Sequence, residues 1–462
     1  MTSPCYPISA CADGLQDRGD NAWIVNFDNG NSNINNRDNN NRVRAVRGPA
    51  REFQGAGEAQ QVTLRDLHAA WKAARRQKVP SANQLDFDTR WGDRLLDLQE
   101  QINAGTWSPR PTTCFVATRP KAREIHAPDF GDRVVHHWLI PQLEAIYERT
   151  FIADSFANRR GKGSHAAVRR LQAFVRQVHS GQGGGYYLQL DIANFFNRIH
   201  RPTLYRMLKA RMERRRLPWI ARKAAHALLR NSPLEIGVRH VATATDRAMV
   251  PPHKRLENAP AGCGIPIGNL SSQFFANVYL DRLDQFIKHT LGARRYLRYV
   301  DDFVLVHHSR EQLLEWKTRI VQFLADELRL SLKEDADPQP LAAGIDFLGY
   351  VVRPTHSTVR RRVVSHARAA LAAWESAHSD AGRITGTPDD FRAVRSIWAS
   401  YEGHFRHANS HRLRAGFLRR FPWLPAATRS RRHPLRAEGR RITIHCHNPG
   451  KSQAQQGGPH GR

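Results

Sequence analysis

The chain has 462 residues, 40% of them hydrophobic, and carries 71 lysines and arginines against 42 aspartates and glutamates, a formal net charge of +29. A chain of this length is expected to divide into two or more domains, and its self-repulsion points to a polyanionic partner rather than a neutral small substrate. The apolar runs all fall short of membrane length, no signal-peptide pattern opens the chain, and five cysteines without a CxxC pair suggest a reducing compartment and no zinc ribbon.

In chain order, residues 1–60 are rich in asparagine and glycine, with ten asparagines between Asn21 and Asn41, and read as a flexible segment. From Leu64 onward, Leu67, Trp71 and Ala74 recur on one helical face. Near Thr112, TTCFVATRPKAREIHAP reads as strand, basic turn and strand and carries Lys121 and Arg123; GDRVVHHWLIPQLEAIYERTF then reads as helix. Gly181 to Gly185 mark a turn, and YYLQLD alternates as a strand ending at Asp191. After AGCGIPIGNL, the run SSQFFANVYLDRLDQFIKHTL suits a packed helix through Phe275, Val278, Leu280 and Leu283. RYLRYVDDFVLV sets Asp301 and Asp302 on a turn between two apolar arms, Tyr296 to Val300 and Phe303 to Val306. Ser309 is expected to cap the next helix with Gln312 closing the box, and Leu313, Trp316, Ile320 and Leu324 line that helix's face. IDFLGYVVRP returns to strand; basic helices continue over 353–424, where Trp398, Tyr401 and Phe405 have core spacing. Residues 425–462 are expected to form a disordered basic tail.

Adjacent like charges on a turn repel unless a cation sits close by. An α+β layer could bring Asp191 beside Asp301 although 110 residues separate them. Three carboxylates converging at strand ends suit two-metal phosphoryl transfer, in which one ion lowers the pKa of an attacking 3′-hydroxyl and the other holds the triphosphate. Lys121 and Arg123 can clamp the non-reacting phosphate oxygens.

The stretches RPKAREIHAP, GDRVVHHWLIPQLE, FIADSFANRRGKGSH, YYLQLDIANFF, GIPIGNLSSQFFANVYLDRLD, RYVDDFVLV, LSLK and IDFLGY cover about residues 110–352. In that order they resemble the reverse transcriptases of palm, fingers and thumb type. The resemblance implies an α+β right-hand polymerase, with N-terminal helices and fingers over 61–180, a palm with interleaved fingers elements over 181–352 and a helical thumb over 353–424. It implies that Asp191, Asp301 and Asp302 are catalytic and hold two Mg²⁺ ions, with Mn²⁺ as a substitute. Phe196 would then be a steric gate against a 2′-hydroxyl; Lys121, Arg123, Ile267, Gly268, Ser272 and Gln273 would shape the nucleotide pocket; and Lys333 would lie near the pyrophosphate as an acid.

Most relatives carry Gln-Gly and then Ser-Pro where this chain has Ile267-Gly268 and Ser272-Gln273, a change that should loosen geometric checking of the base pair. The IGNLSSQ form is similar to the enzymes of diversity-generating retroelements, which copy a template RNA into cDNA with errors concentrated at adenines. The asparagine-rich start resembles the variable end of their C-type-lectin-like targets, as if the frame began inside the template repeat. The implied partners are template RNA and the RNA/cDNA duplex, deoxynucleoside triphosphates and a small basic ring-forming accessory protein, with no membrane and a cytoplasmic, bacterial or phage-encoded setting. A group II intron-like or retron-like reverse transcriptase of ordinary fidelity is the alternative, and a catalytically inactive RNA-binding scaffold is the non-enzymatic one.

Overall fold

The computed structural model describes residues 24–25, 32–33, 61–76, 79–118, 121–182, 184–334, 336–380, 383–429 and 442–445. The expected flexible start, residues 1–60, lies outside them except for two short paired strands, Ile24–Val25 and Ser32–Asn33. The fold is mixed α+β, and its described residues from 61 onward fall into two compact units divided between Ile345 and Asp346, the two short strands being grouped with the second.

The first unit opens on the expected helix, Leu64–Arg75, which buries Leu67, Trp71 and Ala74. Thr63 and Asp66 form a reciprocal capping box at its start. The expected hairpin comes next: Thr112–Ala117 pairs antiparallel with Arg123–Ala127, and Val238–His240 adds a parallel strand to its other edge. Helix Phe130–Tyr147 packs against helix Leu270–Gln285, which buries Phe275, Val278, Leu280 and Leu283.

A second sheet carries the acidic residues. Its strands run Tyr296–Tyr299, Asp302–His307, Tyr186–Asp191 and Gln339–Pro340, all antiparallel. Leu188, Leu190, Leu297, Phe303, Val304 and Leu305 are fully buried in it. Helix Ser164–Gln182 packs against the two hairpin strands, and helix Arg310–Leu328 buries Leu313, Trp316, Ile320 and Leu324. Ser309 caps that helix as expected, its hydroxyl accepting from the Gln312 amide at 3.0 Å. The box does not close: the Ser309 amide, which Gln312 would have to accept from, donates instead to His307 Nδ1 at 3.1 Å, and the Gln312 side chain donates to Glu315 at 2.7 Å.

The second unit contains a three-stranded sheet with the antiparallel pair Tyr350–Val352 and Ser357–Val359, and helices Arg361–His378, Pro388–Phe405 and His411–Arg420. Trp398, Tyr401 and Phe405 are buried there with Leu371, Phe391, Phe417 and Trp423. The disordered tail expected from residue 425 is corrected at two places. Helix Leu424–Arg429 continues the fold because Leu424 and Ala427 join the aromatic core, and Ile442–His445 pairs with strand Arg383–Gly386. Residues 430–441 and 446–462 lie outside the described ones.

Candidate active site

The hydrophobic alternation of YYLQLD fixes which of its side chains leave the core. Leu188 and Leu190 are buried, so Tyr187, Gln189 and Asp191 take the other face. Asp191 stands directly opposite Asp302 in the antiparallel register, which turns both side chains to one side of the sheet. Asp301 occupies the turn between the hairpin strands, after Val300 at φ 57°. A β-branched residue in the left-handed region is strained. The buried Arg298 guanidinium holds that turn by donating from Nη1 to the Val300 carbonyl at 2.8 Å.

Burial and the neighbouring Asp191 push the Asp301 carboxyl up to about 7, against the pull of Arg123 and Arg298. Burial likewise raises Asp191, opposed by Lys333 and Lys121. Asp302 is held differently, by the Gln189 amide, whose Nε2 donates to its two oxygens at 3.1 and 3.3 Å.

Basic groups surround this acidic cluster. Lys333 Nζ lies 3.8 Å from Asp191 Oδ2, and its backbone amide donates to the Asp191 carbonyl at 2.8 Å. Arg123 is desolvated enough to lower its pKa, although Asp301 and Asp191 both favour its charged form. Lys121 is exposed and acts on Asp191 through its charge. The structure therefore gathers Asp191, Asp301, Asp302, Lys121, Arg123 and Lys333.

The remaining pocket residues arrive by a different route. The His126 amide donates to the Ile267 carbonyl at 2.8 Å, joining the IPIGNL loop to the strand that carries Arg123. Gly268 sits at φ 119°, where a Cβ would stand 2.8 Å from Ile125 Cγ2 and 3.2 Å from the His126 carbonyl oxygen. Gly268→Ala is therefore expected to cost on the order of 1–3 kcal/mol, read as a lower urea midpoint at unchanged slope. Ile267 and Gln273 are half-buried. Ser272 is buried and lines a cavity of about 40 Å³ with Arg110, Asp132, His136 and Asn269, a lining that does not include the three aspartates. Phe195 is buried whereas Phe196 is half-exposed beside it, their rings edge to face at 5.5 Å.

Sequence reasoning missed Gln189 and Arg298. The alternation that places Asp191 also places Gln189, two residues earlier, and could have found it. Nothing in the local pattern marks Arg298, which is fully buried in an arm read as apolar. A second group with metal-coordinating chemistry lies on the Thr112–Ala117 and Arg123–Ala127 hairpin, where donor atoms of Cys114, Glu124 and His126 all fall within 4.8 Å of one another. Burial pushes the Cys114 thiol up to about 12. Burial works against the Glu124 charge, yet His126 and the Leu256 amide hold that carboxyl down to about 2.

The mixed α+β fold is consistent with a reverse-transcriptase-like domain, and the chain belongs to the reverse transcriptase (RNA-dependent DNA polymerase) family, whose profile matches residues 117–351. Membership carries with it a general reverse-transcriptase, nucleotidyl-transferring character. The chain is 22% identical over 347 residues to protein YkfC of Escherichia coli K12, covering 67% of this chain and 83% of that protein. It is 21% identical over 317 residues to the group II intron-encoded protein LtrA of Lactococcus lactis, where the match spans 58% of this chain but only 51% of LtrA. Among solved structures, apo telomerase of Candida tropicalis, truncated from its C-terminal domain, aligns at a TM-score of 0.40 with 11% identity, over 59% of this chain and 60% of that one. Among the described residues, no helix is long and apolar enough to cross a membrane.

Proposed function

We propose that this chain is an RNA-directed DNA polymerase that joins a deoxynucleotide to a primer 3′-hydroxyl with release of pyrophosphate. The observation that carries this reading is the pairing of Asp191 with Asp302 across two strands, with Asp301 on the adjoining turn and Arg123 and Lys333 beside them. The donor set fits hard divalent cations: it is all oxygen, Asp301 and Asp191 are both raised in pKa by burial, and Asp301 is raised further by the charge of Asp191, which a cation relieves. Bound by Asp191, Asp301 and Asp302, two magnesium or manganese ions would supply Lewis acidity and charge neutralisation. The protein's own groups do the rest. Arg123 forks onto phosphate oxygens, Lys121 adds a long-range positive field, Lys333 offers a proton to the departing pyrophosphate, and Gln189 fixes the orientation of Asp302. The half-exposed Phe196 ring meets the sugar and disfavours a 2′-hydroxyl.

In this reading the first unit supplies fingers and palm and the second a helical thumb that tracks the RNA/cDNA duplex by shape. The match to LtrA supports the group II intron-like form of the activity. One observation favours the diversity-generating form: an aliphatic Ile267 stands on the loop joined to the Arg123 strand. That form brings with it a template-repeat RNA, a small basic accessory protein and a cytoplasmic setting. Primer extension on a defined RNA with Mg²⁺, followed by cDNA sequencing, separates the two. Substitutions concentrated at template adenines, reduced by Ile267→Gln, are the outcome of the diversifying form. Accurate cDNA from both proteins leaves the group II intron-like form standing, and no extension at all removes the polymerase reading.

A further inference from the structure

We infer that Cys114, Glu124 and His126 form a binding site for one zinc ion, separate from the aspartates of the proposed polymerase site. In the antiparallel register Cys114 is opposite His126, and Glu124 lies two residues before His126. All three side chains therefore leave one face of the hairpin, while Arg123 and Ile125 leave the other. The three residues are 2%, 7% and 2% exposed, and their donor atoms lie within 4.8 Å of one another.

The unusual feature is the imidazole. His126 Nε2 is buried 3.3 Å from Glu124 Oε2 yet is not aligned for a hydrogen bond. On the far side of the ring, Nδ1 lies 3.4 Å from the Thr112 hydroxyl. Without metal, a proton on Nε2 lets His126 favour the Glu124 charge; with the proton on Nδ1 and directed at that hydroxyl, a cation between Nε2 and Oε2 takes its place and makes two bonds. A metal-binding histidine is commonly oriented by a hydrogen bond from its other ring nitrogen, and the Thr112 hydroxyl can accept that bond here.

Sulfur, nitrogen and oxygen donors together match zinc better than magnesium or calcium. Zinc bonds of about 2.0–2.3 Å place donors roughly 3.3–3.8 Å apart around a tetrahedron. The Nε2 to Oε2 spacing already meets this and the thiol lies within 4.8 Å of both, so a side-chain rotation would complete three ligands and leave the fourth position to a water. Binding forms a zinc–sulfur bond and releases the thiol proton to solvent, with no change of oxidation state. Arg247 and Glu257, ion-paired to each other and both acting on the thiol through their charges, add no net charge. Because the Leu256 amide donates to Glu124 Oε2 at 2.8 Å, the ion would also tie the 250s loop to the strand that presents Arg123.

The test uses the full chain, stripped with a chelator and kept in excess Mg²⁺, titrated with Zn²⁺ against a chromophoric competitor and separately with Co²⁺. One zinc per chain, a cobalt–thiolate charge-transfer band and a higher thermal midpoint are expected. Cys114→Ser should abolish the band and weaken zinc binding at least tenfold, whereas Cys263→Ser should change neither. A wild-type chain that retains no stoichiometric zinc, or shows no thiolate band, overturns the site without touching the polymerase reading. A band that survives Cys114→Ser overturns it equally. If Cys114→Ser does not fold, Glu124→Gln is titrated in its place, and unchanged zinc affinity there rejects the assignment.

Discussion

Asp301→Asn is expected to abolish primer extension, by on the order of 10³-fold or more, while leaving the protein folded. The magnitude comes from the several kcal/mol of charge stabilisation supplied through a metal-binding carboxylate, at about 1.36 kcal/mol per decade of rate. The retained fold comes from the local electrostatics. Asp301 is destabilised by burial and by Asp191, so the neutral amide removes a repulsion instead of an attraction. The same reasoning predicts a pH dependence without added metal. An ordinary aspartate titrates near 3.9 when unfolded, whereas Asp301 is raised to about 7 in the folded chain. The folded state thus binds the extra proton between these values. Its stability is fully present below about pH 4 and falls as pH rises toward and through 7. Asp301→Asn should flatten that fall, and Mg²⁺ should oppose it in the wild type alone. Thermal midpoints in chelator across pH 4–8, set beside extension rates, measure both effects. Extension within tenfold of wild type would remove Asp301 from the chemistry, and an unchanged pH profile would remove the electrostatic account.

The parts of this site that are legible in the sequence are those in which periodicity and chemistry coincide. Alternation in YYLQLD sends Leu188 and Leu190 inward and so settles where Asp191 points. The hairpin around Asp301 and Asp302 is visible because its arms are aromatic and β-branched on either side of two carboxylates. The split between Phe195 and Phe196 reflects the need to bury one ring of the pair. The hidden parts depend on partners distant in the chain. Arg298 meets Ser155 across 143 residues and Asp284 across 14, so no local pattern marks it as buried. Glu124 and His126 sit inside a stretch whose conspicuous feature is its basic turn, and only strand pairing sets Cys114 opposite them. Ala427 looks like part of a tail because basic residues dominate the chain beyond it, whereas the structure buries it with Trp423 and Leu424 in the aromatic cluster. Ser272 joins the nucleotide pocket on resemblance alone; in the structure it is buried and lines a cavity together with Asp132 and His136.

Arg298→Met is expected to produce the largest loss of stability of any single substitution near the site. The guanidinium is fully buried and grips Asp284 with two bonds, Nε to Oδ1 at 2.8 Å and Nη2 to Oδ2 at 2.7 Å. It also donates to Ser155 Oγ at 3.2 Å, Asn277 Oδ1 at 3.3 Å and the Val300 carbonyl. Removing it strands a buried carboxylate that keeps a hydrogen bond from the Tyr296 hydroxyl at 2.6 Å but loses the guanidinium that pairs with it. Breaking such a pair from one side costs about 3–5 kcal/mol. Arg298→Lys keeps the charge but loses the planar fork, so it should fall between wild type and methionine. Replacing the whole group together, as Arg298→Met with Asp284→Leu and Tyr296→Phe, leaves no stranded charge and should recover most of the lost stability. Activity should not recover with it. The Val300 carbonyl then has no buried donor, and the strained turn that positions Asp301 loses the bond that holds it. Urea unfolding and primer extension on the same three variants test the separation. A loss below about 1 kcal/mol in Arg298→Met would show that the ion pair does not depend on its partner in the way buried pairs do. Full extension by the stabilised triple variant would show that Arg298 supports the fold beneath the turn and has no part in placing the carboxylate.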